Sequence, residues 1–368
     1  MPDRKRVLIL GASSGGGLGA AARALQSYYG DHYSREIEVR LVDFFEEFAP
    51  SLNILAKFAY QQPGQFFPAF SGTFGDASRD MPGNPVVQAL ESVGIDRARA
   101  FVHEYAPHAV ISTFPIAGGI VADLKGDREF LAATVIADYS AQQAWLHPAT
   151  DIYFAACREA RENLVIRGAA WEKVVVSGVP IHERFAEAGD RTKARNHHEL
   201  ADRFTVMLAP SFGTHGDLGD LARKLAAAGV QVAAVAGHNK RLGRRIEEVA
   251  RGVVLLKGYG FVEGMNTMMM AVDVIIGQAG GLMVSEALAM GLPMIMYGSV
   301  PGQELHSVDF IVNSGAGFVS RDDDDVVEKV RFLSTHPERL GQMASNAAAL
   351  GKPAAARVVC ERVMAALR

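Results

Sequence analysis

The chain has 368 residues, of which 49% are hydrophobic, and it is longer than most single domains. We therefore expect a globular protein with two domains and a sizeable core. A formal net charge of -4 at pH 7 argues against a general nucleic-acid-binding protein and against attachment to anionic lipid by charge alone. No uninterrupted apolar run approaches the roughly 20 residues of a membrane span.

The two cysteines, Cys157 and Cys360, are far apart and lie in apolar or helical contexts. This usage predicts neither a disulfide framework nor a cysteine-based zinc site, so we interpret both as small buried hydrophobic residues. Near the N-terminus only Val7–Leu10 is strongly apolar, which is too short for a signal peptide. We expect a cytoplasmic protein, with peripheral contact at the inner face of the membrane as a further option.

The first half of the chain alternates apolar strands with helices, which is typical of a mostly parallel sheet. The first strand leads into a turn so rich in glycine that it does not fit the dinucleotide fingerprint GxGxxG. We interpret this turn as a loop of close backbone approach. The predicted strands of this half are Arg6–Leu10, Glu38–Asp43, His108–Ser112, Ala133–Ala137, Asp151–Ala155 and Lys173–Ser177. The predicted helices are Gly19–Tyr29, Pro85–Tyr105, Ala117–Leu124 and Arg158–Arg167.

An aromatic segment from Phe44 to about Phe74 follows the second predicted strand. Such a segment is either core or an apolar surface that faces an acceptor or a membrane. Lys57 is its only basic residue, so attraction to anionic lipid would be weak. The pattern therefore favours core plus an acceptor groove over insertion into a membrane.

The second half repeats the alternation of strands and helices. Its predicted strands are Phe204–Ala209, Gln231–Ala236, Val253–Lys257, Val272–Ile276 and Pro293–Tyr297. Its predicted helices are Leu218–Ala228, Leu242–Ala250, Val262–Met270, Leu282–Met290 and Pro353–Leu367. Between the halves, Asp190–Glu199 is polar and has no apolar stripe, which indicates a linker or surface helix with His197 and His198 solvated. The acidic run Asp322–Asp325 predicts the exposed start of a helix.

One stretch of the second half carries the strongest chemical signal. The strand Val272–Ile276 ends in a turn that contains Gly280 and Gly281, and an apolar helix follows. A helix N-terminus brings free N–H groups and the positive end of the helix dipole to one point, which suits a phosphate. Glu286 lies one turn into this helix, placed to accept hydrogen bonds from a sugar's hydroxyls. Together with the loop Pro301–Glu304, this pattern favours a nucleotide-sugar site over an ordinary βαβ turn.

These motifs resemble the two-Rossmann-domain glycosyltransferases that use UDP-sugars. The resemblance is greatest to the bacterial diacylglycerol glucosyltransferases and the plant monogalactosyldiacylglycerol synthases, and more distant to the peptidoglycan N-acetylglucosaminyltransferase. It covers nearly the whole chain. The segments that carry it are VLILGASSGGGLGAAARAL, HAVISTFP, VIADYSAQQAWLHP, VVVSGVPIHERF, AGHNKRL, LLKGYG and GQAGGLMVSEALAMGLPMIMYGSVPGQE.

The resemblance implies an α/β protein of the GT-B fold, in which two Rossmann-like doubly wound domains face a cleft. It places an acceptor-binding domain over residues 1–185 and a nucleotide-sugar-binding domain over residues 200–350. A helix over residues 351–368 would be able to pack back on the first domain. The implied activity is an inverting transfer of a hexose from a UDP-sugar to a hydroxyl of a lipid or amphiphilic acceptor. Because the helix dipole opposes the charge that develops on the leaving diphosphate, we expect no metal or other cofactor.

The resemblance also implies which residues contact the donor. Gly258 and Tyr259 would flank the uracil through their backbones, and Glu286 would take the ribose hydroxyls. Gln303 and Glu304 would hold the donor sugar. The full set of donor-contacting residues is Gly16, Gly17, Gly258, Tyr259, Gly280, Gly281, Leu282, Ser285, Glu286, Gln303 and Glu304.

Two positions depart from the family pattern. Leu18 stands where the family has a histidine that is implicated in activating the acceptor, and leucine cannot accept a proton. Gln278 replaces a lysine, which removes a positive charge near the leaving group. Asp138 follows a predicted strand at the end where open α/β sheets gather ligands, so it is the strongest candidate for the base, followed by His147 and His215. A buried structural role stays open for each.

Three other functions stay open at this point. The low charge of the aromatic segment is compatible with a soluble acceptor from a specialised-metabolite pathway. A UDP-sugar 2-epimerase-like enzyme would share the fold. The departures at Leu18 and Gln278 are also compatible with an inactive UDP-sugar-binding relative.

Overall fold

The computed structural model describes residues 4–12, 16–50, 94–114, 121, 124–125, 129–141, 143–210, 217–298 and 305–368, with backbone only at residues 16–18 and 144. Most of the aromatic segment, His215, Gln303 and Glu304 therefore lie outside the described residues. The described chain forms two compact units. The first contains the residues up to Glu183 together with Lys352–Arg368, and the second runs from Arg184 to Gly351.

A six-stranded parallel sheet forms the centre of the first unit. Its strands are β1 (Lys5–Gly11), β2 (Ile37–Asp43), β3 (Ala109–Ser112), β4 (Leu131–Val135), β5 (Ile152–Ala155) and β6 (Val174–Val176). They lie in the order β2-β1-β3-β4-β5-β6. The direction of winding changes between β1 and β3, which is where doubly wound sheets bind ligands at the carboxyl ends of their strands. The predicted parallel sheet is thus confirmed.

One predicted strand of this sheet is displaced. The expected strand Ala133–Ala137 lies two residues earlier, because Ile136 and Ala137 continue the buried apolar run beyond the end of β4. Burial alone therefore did not mark the strand's end.

Among the helices of the first unit that the structure describes from end to end, four precede the second unit in the chain. They are α1 (Gly16–Tyr33), α2 (Phe44–Glu47), α3 (Ile95–Tyr105) and α4 (Arg158–Ile166). On one face of the sheet, Phe44 and Phe48 are buried and pack edge to face, with ring centroids 5.5 Å apart. The start of the aromatic segment is thus core, as expected, and the expectation for residues 51–74 concerns residues outside the described set.

The second unit is built on another six-stranded parallel sheet. Its strands are β7 (Thr205–Leu208), β8 (Gln231–Val235), β9 (Leu256–Tyr259), β10 (Val274–Gly277), β11 (Met294–Tyr297) and β12 (Gly317–Ser320). They lie in the order β12-β11-β10-β7-β8-β9. The sequence did not predict β12, and it predicted β9 too early. Val254, within the expected strand Val253–Lys257, is almost fully exposed in a turn.

Eight helices accompany this sheet among the described residues. They are α5 (Arg191–His197), α6 (Leu218–Ala227), α7 (Lys240–Ala250), α8 (Met265–Ala271), α9 (Gly281–Ala289), α10 (Leu305–Asn313), α11 (Asp323–Thr335) and α12 (Pro337–Leu350). The acidic run does open a helix, since Asp322 caps α11 by accepting the N–H of Asp325 at 2.8 Å. This prediction is confirmed.

The segment Asp190–Glu199 contains the helix α5, whose residues are mostly exposed, so the prediction of a surface helix is confirmed. The expected solvation holds for His197 and was wrong for His198. Arg195 on α5 is 7% exposed and donates to the backbone carbonyls of Ala271 and Arg203, while its guanidinium also pairs with Asp273 at 3.2 Å. His198 is 6% exposed. These polar residues are buried because each has polar partners, which removes most of the cost of taking it out of water.

The chain returns to the first unit in the helix α13 (Ala355–Ala366), which packs against α1. Val359 and Cys360 enter the core formed by α1 and the sheet, and the phenol of Tyr29 donates to the carbonyl of Cys360 at 3.4 Å. Cys157 and Cys360 are both buried and not disulfide-bonded, which confirms their interpretation as small buried residues. None of the helices in the described ranges has the length and apolar character needed to cross a bilayer.

Candidate functional site

The turn after β10 forms a helix N-terminus that has no side-chain cap. Gly280 is the N-cap residue in an extended conformation, and α9 starts at Gly281. The N–H of Val284 donates to the carbonyl of Gly280 at 3.0 Å, which begins the helical bonding. The N–H groups of Gly281, Leu282 and Met283 precede this bond and have no partner within the helix. The carboxyl end of β10 therefore presents backbone donors and a positive dipole end to an anion.

Ser285 and Gln278 lie on either side of this turn. The hydroxyl of Ser285 donates to the carbonyl of Gly281 at 2.7 Å, within the first turns of α9. Gln278 is 8% exposed and lies between β10 and the N-cap. The residues that were predicted to surround a diphosphate thus form one continuous turn.

Glu286 lies on the second turn of α9 and is partly buried. Burial raises the pKa of its carboxyl to about 7, and the positive charge of Arg184 opposes this rise. A ligand hydroxyl that donates to the carboxylate would favour the ionised form, since hydrogen bonds to a charged form stabilise it.

The two residues expected beside the uracil lie on β9, the edge strand. A Cβ atom on Gly258 would lie 2.8 Å from Cγ2 of Ile246, so glycine at this position lets α7 pack closely on the strand. The phenol of Tyr259 donates to the carbonyl of His198 at 2.6 Å, and the Tyr259 carbonyl accepts the N–H of Ala236 at 2.8 Å. Their backbone contacts with uracil stay a prediction.

A stacked aromatic pair at the same edge was missed by the sequence analysis. The rings of His238 and Phe261 lie 4.1 Å apart with an angle of 18° between their planes. Phe261 is 59% exposed, which is unusual for so large an apolar side chain. His238 follows β8 and Phe261 follows β9, so both lie beyond the carboxyl ends of their strands. That position was the only signal available in the sequence.

The glycine-rich turn of the first unit is shorter than expected. The helix α1 starts at Gly16, so Gly16 and Gly17 lie in its first turn and not in a loop that precedes a helix at Gly19. A Cβ atom on Gly11 would lie 3.1 Å from Cβ of Ala22, so glycine at the end of β1 lets this helix approach the strand. The prediction that the glycine-rich loop allows close backbone approach stays a prediction, since residues 13–15 lie outside the described residues.

The candidate bases occupy different places. Asp138 lies just beyond the carboxyl end of β4, partly exposed, and its Oδ1 accepts the N–H of Tyr139 at 2.8 Å. His147 lies in the crossover that leads to the amino end of β5. Its Nδ1 accepts the N–H of Ala149 at 3.2 Å, and its backbone N–H and carbonyl both bond the phenol of Tyr153. His215 lies outside the described residues.

The position of Asp138 fits ligand binding better than that of His147, because parallel sheets bind ligands at the carboxyl ends of their strands. In the part of the chain that the structure describes, no three or more His, Cys, Asp or Glu side chains are grouped to hold a metal ion.

Two family models match the chain, one in each half. Residues 19–181 match the monogalactosyldiacylglycerol (MGDG) synthase model. Residues 220–359 match the C-terminal domain of glycosyltransferase family 28. Both matches agree with the resemblance found in the sequence motifs, which is thereby confirmed.

Individual proteins show the same similarity. A processive diacylglycerol beta-glucosyltransferase of Bacillus cytotoxicus is 26% identical over 371 residues, which cover 99% of this chain and 94% of the relative. MurG of Acinetobacter baumannii superposes with a TM-score of 0.65 at 15% identity, covering 99% of this chain and all of MurG. UDP-GlcNAc 2-epimerase of Neisseria meningitidis, bound to UDP-GlcNAc, gives a TM-score of 0.61 at 13% identity, with coverages of 98% and 100%. The structural likenesses confirm the predicted fold.

Proposed function

We propose that this chain is a UDP-sugar-dependent glycosyltransferase of the GT-B type, which transfers a hexose from a UDP-sugar to the hydroxyl of a diacylglycerol-like lipid. The observation that carries the donor assignment is the uncapped N-terminus of α9 with Glu286 one turn further on. The acceptor class is supported by the MGDG synthase match over residues 19–181 and by the diacylglycerol glucosyltransferase that matches 99% of the chain.

The first turn of α9 would hold the diphosphate. Its N–H groups and dipole stabilise negative charge, and this charge grows on the diphosphate as the bond to the sugar breaks. Glu286 lies about 7.5 Å further along the helix axis than Gly281, at 1.5 Å per residue. Its carboxylate would accept the ribose hydroxyls. The proposed reaction needs no metal, since the helix N-terminus supplies the positive potential.

The uracil would stack on the exposed face of the pair formed by His238 and Phe261. Each base stacked on an aromatic side chain contributes about 1–3 kcal/mol. Both residues come directly after strands at the carboxyl edge of the sheet, and α9 begins at the same edge. The uracil, ribose and diphosphate of the donor would therefore lie along this one edge.

Asp138 would act as the general base. In an inverting displacement the acceptor oxygen bonds to the anomeric carbon, the bond from that carbon to the diphosphate breaks, and the acceptor proton passes to the base. Asp138 is partly exposed and lies beyond the end of β4. A cytoplasmic enzyme in peripheral contact with the membrane fits this acceptor, because a membrane lipid must be reached at the bilayer surface.

The decisive experiment incubates the protein with UDP-glucose, UDP-galactose or UDP-N-acetylglucosamine and vesicles that contain diacylglycerol. We expect UDP release that matches the appearance of a glycosylated lipid with one of these donors. Glu286→Ala should raise the KM for the donor, and Asp138→Asn should lower kcat with little change in donor binding. Product formed only with soluble amphiphilic alcohols would overturn the lipid assignment, and an altered UDP-sugar without acceptor would identify an epimerase. Donor binding without any turnover would identify a silent binding protein.

A further inference from the structure

The first half of α7 is strongly basic and contains no acidic residue. Lys240, Arg241 and Arg244 are exposed, and none of them forms an ion pair with another residue that the structure describes. Arg245, the fourth cation, is different, because it pairs with two carboxylates at the start of α6. We call the three exposed cations, Lys240, Arg241 and Arg244, the α7 cluster.

The order of charges along α7 opposes the stability of the helix itself. Cations are unfavourable at a helix N-terminus, where the helix dipole is positive. Lys240 and Arg244 are also four residues apart, and like charges at that spacing destabilise a helix. The acids Glu247 and Glu248 lie in the second half of α7, toward the negative end of the dipole. The α7 cluster therefore needs an explanation other than the stability of its own helix.

The α7 cluster lies beside the stacked pair that was proposed to bind uracil. The strand β8 ends just before His238, whose ring stacks on Phe261 at 4.1 Å. Asn239 then caps α7 by accepting the N–H of Leu242 at 3.0 Å. The strand β8 is two strands from β10, so α7 and α9 begin on the order of 10–20 Å from each other along the carboxyl edge. The Debye length is about 30 Å at 0.01 M salt, so these charges act over such a distance without contact.

The carboxylates at this end of the edge do not cancel the positive charge of the α7 cluster. Asp217 and Asp220 pair with Arg245 at 2.5 Å and 3.2 Å. Glu263 is exposed in the loop after β9 and is the third carboxylate among the described residues that follow β7, β8 and β9 at this edge. Three unpaired cations therefore outnumber one unpaired acid here.

A UDP-sugar fits this surface better than a lipid bilayer does. Its diphosphate carries two negative charges, and Gln278 before α9 supplies no positive charge to balance them. The helix α7 exposes none of its apolar side chains, since Leu242, Ile246 and Val249 are buried or partly buried. It therefore offers no group of its own that would insert among lipid chains.

We propose that the α7 cluster is a cationic surface that attracts the dianionic diphosphate of the UDP-sugar to the carboxyl edge where α9 begins. This inference rests on the proposed function, because the donor assigned there supplies the negative charge. The three side chains are not assigned a contact with the reacting atoms. They act through their field, which raises the local concentration of an anion near the site.

The test is the salt dependence of UDP-glucose binding, measured by calorimetry from about 20 to about 500 mM NaCl. The affinity of the wild type should fall as salt rises. The variant Lys240→Gln/Arg241→Gln/Arg244→Gln should bind about fivefold more weakly at about 20 mM salt, and the two proteins should converge at about 500 mM. Uridine has no phosphate, so it should bind both proteins with equal affinity. Weaker uridine binding by the variant would indicate a structural defect and overturn the proposal.

A matched control removes three exposed cations from other helices of the same unit. Lys193→Gln/Arg331→Gln/Arg339→Gln changes the net charge equally on α5, α11 and α12. It should keep the wild-type affinity within about twofold, because these charges are not at the start of α7. An equal loss of affinity in both triple variants would overturn the role of the α7 cluster.

Unfolding in urea separates charge from structure. The neutral α7 variant should be at least as stable as the wild type, because it loses like-charge repulsion and the conflict with the helix dipole. Lys240→Glu/Arg241→Glu suits the dipole better still and should weaken UDP-glucose binding at low salt as well. A variant that lost stability together with affinity would point to a structural role and overturn the proposal.

The outcomes also distinguish this proposal from the proposed function. A wild-type protein that binds no UDP-glucose at any salt concentration would overturn the proposed function. A wild-type affinity and salt dependence that the neutral α7 variant shares would overturn only the role of the α7 cluster. If that variant also lost binding to phosphatidylglycerol vesicles, the cluster would be assigned to a membrane surface instead.

Discussion

The phenol of Tyr259 donates a hydrogen bond to the backbone carbonyl of His198 at 2.6 Å, which ties the edge strand β9 to the end of α5. The imidazole of His198 extends this connection, since its Nε2 lies 3.0 Å from the hydroxyl of Thr267 on α8. Tyr259 was expected beside the uracil because of its place in a motif. Its side chain joins β9 to the end of α5, and His198 continues the connection to α8.

Tyr259→Phe should therefore reduce stability more than donor binding. The substitution keeps the ring and leaves the partly buried carbonyl of His198 without this donor, so we expect a loss of about 1 kcal/mol in the free energy of unfolding. Urea unfolding gives that value, and calorimetry with UDP should show an unchanged Kd. A variant with full stability and weakened UDP binding would contradict this assignment.

Phe261→Ala should weaken UDP binding by about tenfold, because it removes the aromatic face on which the uracil would stack. The chain offers a matched control in Phe332, which is 41% exposed and stacks on His336 at 4.3 Å. Phe332→Ala should leave the Kd for UDP unchanged. Calorimetry on both variants checks the prediction, and equal effects of the two substitutions would argue against a base-binding role for Phe261.

Glu286 should make the protein less stable as pH rises from about 4.5 to about 7. The carboxyl ionises near pH 4.5 in the unfolded chain and near pH 7 in the folded protein, so between these values the folded state binds more protons and loses stability with rising pH. Glu286→Gln should remove this contribution and be more stable than the wild type at pH 8, by about 3 kcal/mol. It should also bind UDP-glucose more weakly. Thermal unfolding at pH 5 and pH 8 measures the difference, and equal stability of the two proteins at pH 8 would refute it.

Arg195→Met should destabilise the second unit by about 3 kcal/mol, because it removes the buried guanidinium that pairs with the partly buried Asp273. Asp273 also pairs with Arg191 at 2.5 Å, which limits the loss. The control is Lys193→Met, which removes an exposed charge from the same helix. Denaturant unfolding followed by circular dichroism compares the two, and a similar midpoint for both would show that the network contributes little.

Much of the fold was predictable from local patterns. Buried parallel strands are continuous apolar runs, so β1 and β10 could be found from their own residues. The sequence did not predict β12 because this strand has no continuous apolar run: Phe318 is partly buried and Val319 is exposed, between a glycine and a serine. The burial of Arg195 could not be predicted from the sequence, because its partners Asp273 and Ala271 lie far from it along the chain.

Part of the candidate site was also predictable from local sequence, and part was not. The N-terminus of α9 belongs to the predictable part, because its glycines, Ser285 and Glu286 all lie within one short segment. The stacked pair is not local, because His238 and Phe261 belong to two loops that meet only when β8 and β9 pair. The residues of the α7 cluster are adjacent in sequence, but their place at the edge that carries α9 depends on the order of the strands.

The return of α13 to the first unit has a consequence for synthesis on the ribosome. Because Val359 and Cys360 belong to the core around α1, the N-terminal half leaves the exit tunnel with part of its apolar surface uncovered. The strands and helices between Arg184 and Gly351 emerge as a nearly complete folding unit before that surface is closed. The first unit is thus synthesised first, but its core is completed last. A chain that lost α13 to a protease would expose the face of α1 against which this helix packs.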